Sequence, residues 1–152
     1  LPEDYELWLI GDGERRSIIE QCIKDNKLED RVLLLGIRSD IPSLLKSVDV
    51  VVQSSHWEGF GLAAVEGMAA GKPVIASDVE GLAQVVEGAG ILFPLGDDKK
   101  LADIIKLLIE DQTYYQQVAA NCMERAKMFD IQKMVDAYNE VYEGLVKQKD
   151  NS

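Results

Sequence analysis

Over residues 1–93, short apolar blocks alternate with stretches of helical period; beyond them the pattern is helical throughout. Residues 5–10 (YELWLI) carry β-favouring side chains and are closed by Gly11-Asp12-Gly13, which predicts a first strand. Residues 15–26 place Ile18, Ile19, Cys22 and Ile23 at spacings of three and four, the stripe of an amphipathic helix. Residues 32–35 predict a second strand, ended by Gly36. Ser39 or Asp40 caps a short helix with Pro42 in its first turn, where the missing N–H costs nothing. Residues 48–53 predict a third strand, and 61–70 a helix of small residues stopped by Gly71 and Pro73. A fourth strand (74–76), a short helix (82–87) and a fifth strand (90–93) follow.

The remaining sequence predicts three helices. Asp97 or Asp98 caps the first, which carries Leu101, Ile104, Ile105 and Leu108. The second shows Tyr115, Val118, Ala119, Cys122, Ala126 and Phe129. The third, capped by Asp130, shows Ile131, Met134, Val135, Tyr138, Tyr142 and Leu145. Each has one apolar face and is expected to lie on the surface of a core. Residues 147–152 form a polar tail, expected to fray.

Strands separated by helices of this length predict a doubly wound α/β fold: a parallel sheet of five strands with extra C-terminal helices. Residues 1–152 read as a single domain. In such sheets ligands bind beyond the carboxyl ends of the strands. That selects the loops at residues 11–14, 36–40, 54–61 and 77–81.

Composition narrows the partners. The chain is 47% hydrophobic and 28% charged, enough for a sizeable core and unlike a disordered chain. Sixteen basic residues against 27 acidic ones give a net charge of -11, which argues against nucleic acid as a partner. A small phosphorylated ligand needs only one local patch of amides and cations, so it stays open. No apolar run reaches the roughly 18 to 20 residues of a membrane span; membrane association of a longer protein is left open. Cys22 and Cys122, 100 residues apart in helical patterns, read as buried free thiols of a reducing, cytoplasmic compartment. The chain opens at Leu1-Pro2-Glu3-Asp4 without a signal-like segment and enters a strand pattern at once, as expected of a piece of a longer protein.

The stretch Ser54-Ser55-His56-Trp57-Glu58-Gly59-Phe60-Gly61-Leu62-Ala63-Ala64-Val65-Glu66 carries the most chemistry. Gly59 and Gly61 flank Phe60 where a helix begins, so a ligand can approach the backbone closely. The free amides and the positive end of the helix dipole form an anion site. Glu58 precedes the helix and Glu66 falls in its second turn. At about 100° per residue their faces would differ by roughly 80° even on one helix, so two separate contacts to one elongated ligand fit better than a facing carboxylate pair. Glu66 also sits among Ala63, Val65, Met68 and Ala69, an unusual setting for a merely solvated glutamate. His56, the one histidine, reads as a loop residue rather than a base. Lys72 reads as a helix-end cation beside the negative pole of the dipole.

The segment EGFGLAAVEGMAAGKPVIASDVEG resembles the signature of the retaining glycosyltransferases of GT-B type, the sucrose-synthase and glycogen-synthase-like group. That signature is a Glu, seven residues and a second Glu, matched by Glu58 and Glu66. Leu9-Ile10-Gly11-Asp12-Gly13 resembles the family's first glycine loop, and Val32-Leu33-Leu34-Leu35-Gly36 its next strand and turn. Gly90-Ile91-Leu92-Phe93-Pro94 and Asp97 resemble the end of its donor domain.

The resemblance implies a domain that binds a nucleoside diphosphate sugar, with UDP or GDP as the nucleotide and no metal or other cofactor. By family position Glu58 is the catalytic contact to the transferred sugar, and Glu66 holds the ribose hydroxyls. The amides of Phe60, Gly61 and Leu62, beside Gly59, receive the diphosphate or the sugar. The loop of Gly36 and Arg38 lines the base. Gly11 and Gly13 contact the ligand by the same logic, although short glycine motifs equally mark plain turns.

The chain departs from the family pattern in three places. The acceptor domain, N-terminal in the family, is absent. The strand bearing the Arg and Lys clamp on the diphosphate would lie upstream of Leu1. After the fourth strand, Gln84 stands where the family often has a carboxylate. The resemblance puts its missing strand between the first and third strands here; closing that gap predicts the flavodoxin-like order 2-1-3-4-5. One other function stays open, a non-catalytic flavodoxin-like nucleotide-binding or regulatory module; a glycoside hydrolase needs two carboxyls facing each other across one bond, and the loop-plus-helix placement of Glu58 and Glu66 speaks against it.

Overall fold

The computed structural model describes residues 1–150, with side chains through residue 146. Five strands and seven helices alternate in the expected way: β1 (Leu7–Ile10), α1 (Arg16–Asp25), β2 (Val32–Gly36), α2 (Ile41–Ser47), β3 (Val51–Gln53), α3 (Leu62–Ala69), β4 (Val74–Ser77), α4 (Glu80–Val86) and β5 (Ile91–Phe93). Then come α5 (Asp98–Glu110), α6 (Gln112–Ala126), a 3₁₀ turn at Lys127–Phe129 and α7 (Ile131–Asp150). The chain divides into two compact units, Leu1–Ser43 and Leu44–Ser152.

The first unit holds a two-stranded parallel sheet. Leu7, Trp8 and Leu9 pair with Val32, Leu33 and Leu34, and an irregularity shifts Ile10 onto Gly36. Ile23 of α1 is its buried apolar side chain, while Leu7, Ile10 and Leu33 remain exposed. Arg31 fastens the start of the chain by donating to the carbonyls of Tyr5 and Pro2.

The second unit carries the core. β3, β4 and β5 form a parallel sheet with β4 central, and all four residues of β4 are buried. Met68 of α3, Leu82, Val85 and Val86 of α4, Leu108 of α5, and Val118 and Cys122 of α6 close around it. Parallel strands covered on both faces read as continuous apolar runs, as Val74-Ile75-Ala76 does. Close approach is bought with small residues: a β-carbon on Gly67 would lie 3.0–3.1 Å from the Val51 side chain, and one on Gly90 would run into the carbonyl of Val74. Asp97 accepts from the Lys100 amide at 2.9 Å, and Asp111 from the Tyr114 amide at 2.9 Å, capping α5 and α6. Asp130 does the same for α7 through the Gln132 amide at 2.8 Å.

Four expectations need correction. The strands do not make one sheet of order 2-1-3-4-5: the 2-1, 3-4 and 4-5 neighbours are formed, but β1 and β3 share no ladder. The third strand begins at Val51 rather than residue 48, and the carbonyl of Asp49 instead accepts from the Tyr115 hydroxyl at 2.8 Å. Cys22 is exposed because α1 turns its neighbour Ile23 inward; Cys122 is buried, and burial pushes its thiol pKa up. The apolar stripe of α7 covers no core: Ile131, Met134, Tyr138, Val141, Tyr142 and Leu145 are each at least half exposed. Of the polar tail, residues 147–150 continue the backbone of α7, and residues 151 and 152 lie outside the described residues.

Candidate functional site

The loop between β3 and α3 is set by contacts on several sides within the second unit. Buried Ser77, the last residue of β4, donates its hydroxyl to the Ser55 carbonyl at 2.6 Å. The start of α4 then lies against the backbone of Glu58 and Gly59: a β-carbon on Gly81 would collide with the Glu58 carbonyl oxygen. Leu82, fully buried, fills the space beside Gly61, where a β-carbon would be 2.5 Å from its Cδ2. Gly61 has φ +87°, a left-handed conformation that residues with a β-carbon rarely adopt. The sequence pattern suggests glycine here for ligand approach; the fold requires it first for the turn and for Leu82.

That turn starts α3. Gly61 is its N-cap, and its carbonyl accepts from Ala64 and Val65. No side chain caps this end. The first amides of a helix have no intrahelical partner, so Leu62 and its neighbours present the donors and dipole end suited to an anion. Glu58 is half-buried, and its Oε1 accepts from the adjoining Gly59 amide at 3.1 Å. Glu66 lies one turn into α3 and is exposed on the helix flank. A half-buried glutamate in the loop and an exposed one on the helix are two separate contact points. Trp57, 85% exposed, and His56 stand at the outer part of the loop. Lys72 donates to the Lys46 carbonyl at 3.0 Å, in the last turn of α2, the helix-end placement expected of it.

In the first unit the two glycine loops meet at the carboxyl ends of their strands. The Gly11 amide donates to the Gly36 carbonyl at 2.8 Å, and both glycines have positive φ, +122° and +63°. Asp12 accepts from the Gly13 amide at 2.8 Å, and the Gly13 carbonyl accepts from the Arg16 amide at 3.0 Å, which starts α1. Arg38 makes a two-point contact with Asp40, at 2.8 and 2.7 Å. This hydrogen-bonded pair holds the Asp40 carboxyl below its ordinary pKa and raises that of Arg38. Arg38 is therefore engaged locally rather than a bare cation. Among the described residues, no three His, Cys, Asp or Glu side chains gather as metal ligands.

Sequence reasoning missed Phe129 and Arg125. The rings of Phe60 and Phe129 meet edge to face, with centroids 5.4 Å apart and planes at 84°. Arg125 lies over the Phe129 ring, 5.3 Å from its centroid. In the sequence Phe129 stands only as one position of a helical stripe. Its partner is 69 positions away, and nothing local in the sequence marks that pairing.

Comparison with known proteins bears on this arrangement. The family described as "Glycosyl transferases group 1" matches residues 1–128. The N-acetyl-alpha-D-glucosaminyl L-malate synthase of Bacillus anthracis is 32% identical over 151 residues, which are 97% of this chain and 40% of that protein. The crystal structure of Anabaena HepE in complex with UDP-glucose is 34% identical and superposes with a TM-score of 0.88, over 94% of this chain and 42% of that one. Sucrose-phosphate synthase from Thermosynechococcus elongatus is 30% identical, with a TM-score of 0.83, over 94% and 39% of the two chains. The chain thus spans about two fifths of the length of these relatives.

Proposed function

Because the chain belongs to the glycosyl transferases group 1 family, we propose that residues 1–152 are the donor-binding domain of a retaining glycosyltransferase. The reaction is transfer of a sugar from a nucleoside diphosphate sugar to an acceptor hydroxyl. The bond from the anomeric carbon to the diphosphate breaks and the acceptor oxygen takes its place. The nucleoside diphosphate leaves with the bonding electrons, and its departing oxygen takes up the proton that the acceptor hydroxyl loses. The observation that carries the reading is the Glu58–Glu66 stretch: a half-buried glutamate, a left-handed glycine, an uncapped helix start and an exposed glutamate one turn on. The crystal structure of HepE with UDP-glucose, a relative of the same fold over this region, supports a UDP sugar as donor.

In this reading the amides of Phe60, Gly61 and Leu62, beside Gly59, take the diphosphate or sugar, and Glu66 takes the ribose hydroxyls. Glu58 contacts the transferred sugar, where its interaction strengthens as the glycosidic bond breaks. Gly11, Gly13, Gly36 and Arg38 line the nucleotide side. The acceptor-binding half comes from the rest of a longer polypeptide, as the greater length of the relatives suggests. The two unpaired thiols suit a reducing, cytoplasmic compartment. No helix among the described residues is long and apolar enough to cross a membrane.

Calorimetry with UDP, GDP and ADP, with FMN as the control, tests the reading. UDP binding with FMN silent is the expected result; FMN binding alone would favour the flavodoxin-like module instead. Glu66→Ala is expected to weaken UDP about tenfold or more, since each charge-assisted hydrogen bond contributes roughly 1.5–3 kcal/mol. Glu58→Ala is expected to leave UDP affinity near that of the parent and to depress turnover in the longer enzyme. If Glu66→Ala binds UDP as the parent does, its assignment to the ribose is wrong.

A further inference from the structure

Phe60 sits between two glycines in the loop assigned to the diphosphate, and the residue is 43% exposed. A Gly-Phe-Gly segment has little conformational preference of its own, because glycine populates both signs of φ. The directions of the Phe60, Gly61 and Leu62 amides therefore depend on what holds Phe60. Its ring meets Phe129, the last residue of the 3₁₀ turn after α6. Phe129 is in turn covered by Arg125. The Arg125 guanidinium donates through Nη2 to the Gln84 carbonyl at 2.6 Å and through Nε to the Val85 carbonyl at 3.1 Å. Those carbonyls belong to the last turn of α4, which has no intrahelical donors for them and favours a cation. The first turn of the same helix places Gly81 and Leu82 against the Glu58–Gly61 backbone. The contacts form a closed circuit: loop to Phe129, Phe129 to Arg125, Arg125 to the end of α4, and the start of α4 back to the loop.

We infer that Phe129, held by Arg125, is a positioning residue for the nucleotide-sugar loop: it fixes Phe60 and thereby the aim of the amides from Phe60 to Leu62. The inference rests on the donor-site reading above. It assigns a role in binding to the corner between α6 and the 3₁₀ turn, a segment that supplies no ligand contact in that reading. An edge-to-face aromatic pair contributes a factor of about two to twelve to an equilibrium. Loss of the pair is therefore expected to weaken UDP by about that factor.

The test compares Phe129→Ala, Phe129→Leu and Phe129→Tyr by two readouts. Backbone ¹⁵N order parameters of residues 58–62 in the ligand-free chain report the loop; UDP calorimetry reports the consequence. Phe129→Ala and Phe129→Leu are expected to lower the order parameters from about 0.85 toward 0.6 and to weaken UDP. Phe129→Tyr keeps the ring and is expected to restore both. Order parameters of β4 unchanged from the parent identify a folded variant. Should Phe129→Ala fail to fold, Phe129→Leu and Arg125→Lys carry the test. In the cycle with Phe60→Ala, the second substitution is expected to add nothing to the first. Unchanged order parameters at residues 58–62 in a folded Phe129→Leu, or strictly additive effects in the cycle, overturn the inference. A parent that binds no UDP but whose loop loosens in Phe129→Leu rejects the donor reading and leaves the mechanical coupling standing.

Discussion

A β-carbon added at Gly61 or Gly81 would run into the molecule, whereas one added at Gly11 or Gly13 would meet nothing within 4 Å. Gly61 ends the loop after β3 and Gly81 lies in the first turn of α4, whereas Gly11 and Gly13 share the loop after β1. In the second unit glycine is required by packing: α4 is pressed onto the Glu58–Gly61 backbone, and only a residue without a side chain allows it. In the first unit the requirement at Gly11 is conformational, from its φ of +122°, and at Gly13 neither packing nor positive φ demands glycine. One loop is built by its neighbours and inherits their rigidity. The other is built from its own hydrogen bonds, from Gly11 to Gly36 and from Gly13 to Asp12. A glycine loop in sequence therefore says where the chain turns, and not what enforces the turn.

The contrast breaks most sharply at Gly81. In Gly81→Ala the new methyl group faces backbone, the Glu58 carbonyl, which cannot rotate away. The expected loss of stability is about 3 kcal/mol, the upper part of the usual overpacking range, and denaturant unfolding measures it. Gly61→Ala follows at about 2 kcal/mol, of which left-handed φ accounts for about 1 kcal/mol and crowding for about as much again. Its other obstacle is a side chain, Leu82, which can shift in part. If Gly81→Ala costs less than Gly61→Ala, the loop yields more easily than packing implies, and the clamped-loop picture fails.

Most of the element order was legible because strands and helices differ in period, and the caps Asp97 and Asp130 were legible because capping is a local act. Neighbour relations within each sheet, 2-1, 3-4 and 4-5, followed from the short crossovers. What stayed hidden was whatever depends on distant sequence. Residues 7–10 and 51–53 declare themselves as strands, but nothing in them says which edges lack a partner. The helical stripes of α5 and α7 look the same; Ile104 and Leu108 are buried, while Tyr138 and Leu145 are 57% and 59% exposed. At the site, Glu58, Gly61 and Glu66 could be read from one contiguous motif. Ser77, Leu82, Arg125 and Phe129, which shape that motif in space, are joined to it only by folding.

The finest form of the comparison lies within the first unit. Gly11→Ala is expected to cost about 1 kcal/mol, since φ of +122° is unfavourable for any residue with a β-carbon. Gly13→Ala meets no such barrier and no neighbour. Replacing glycine at a compatible position restricts the unfolded chain, which stabilises by about 0.4–1 kcal/mol. Stability alone therefore cannot reveal a binding role for Gly13, and that makes the substitution a clean probe. If the ligand backbone passes close to Gly13, the methyl group obstructs it. UDP affinity then falls several-fold in a protein that is no less stable than the parent. Urea unfolding and UDP calorimetry on the same preparation read the two quantities side by side. Unchanged affinity would reduce Gly13 to a turn residue and leave Gly11 and Gly36 as the glycines of that loop pair.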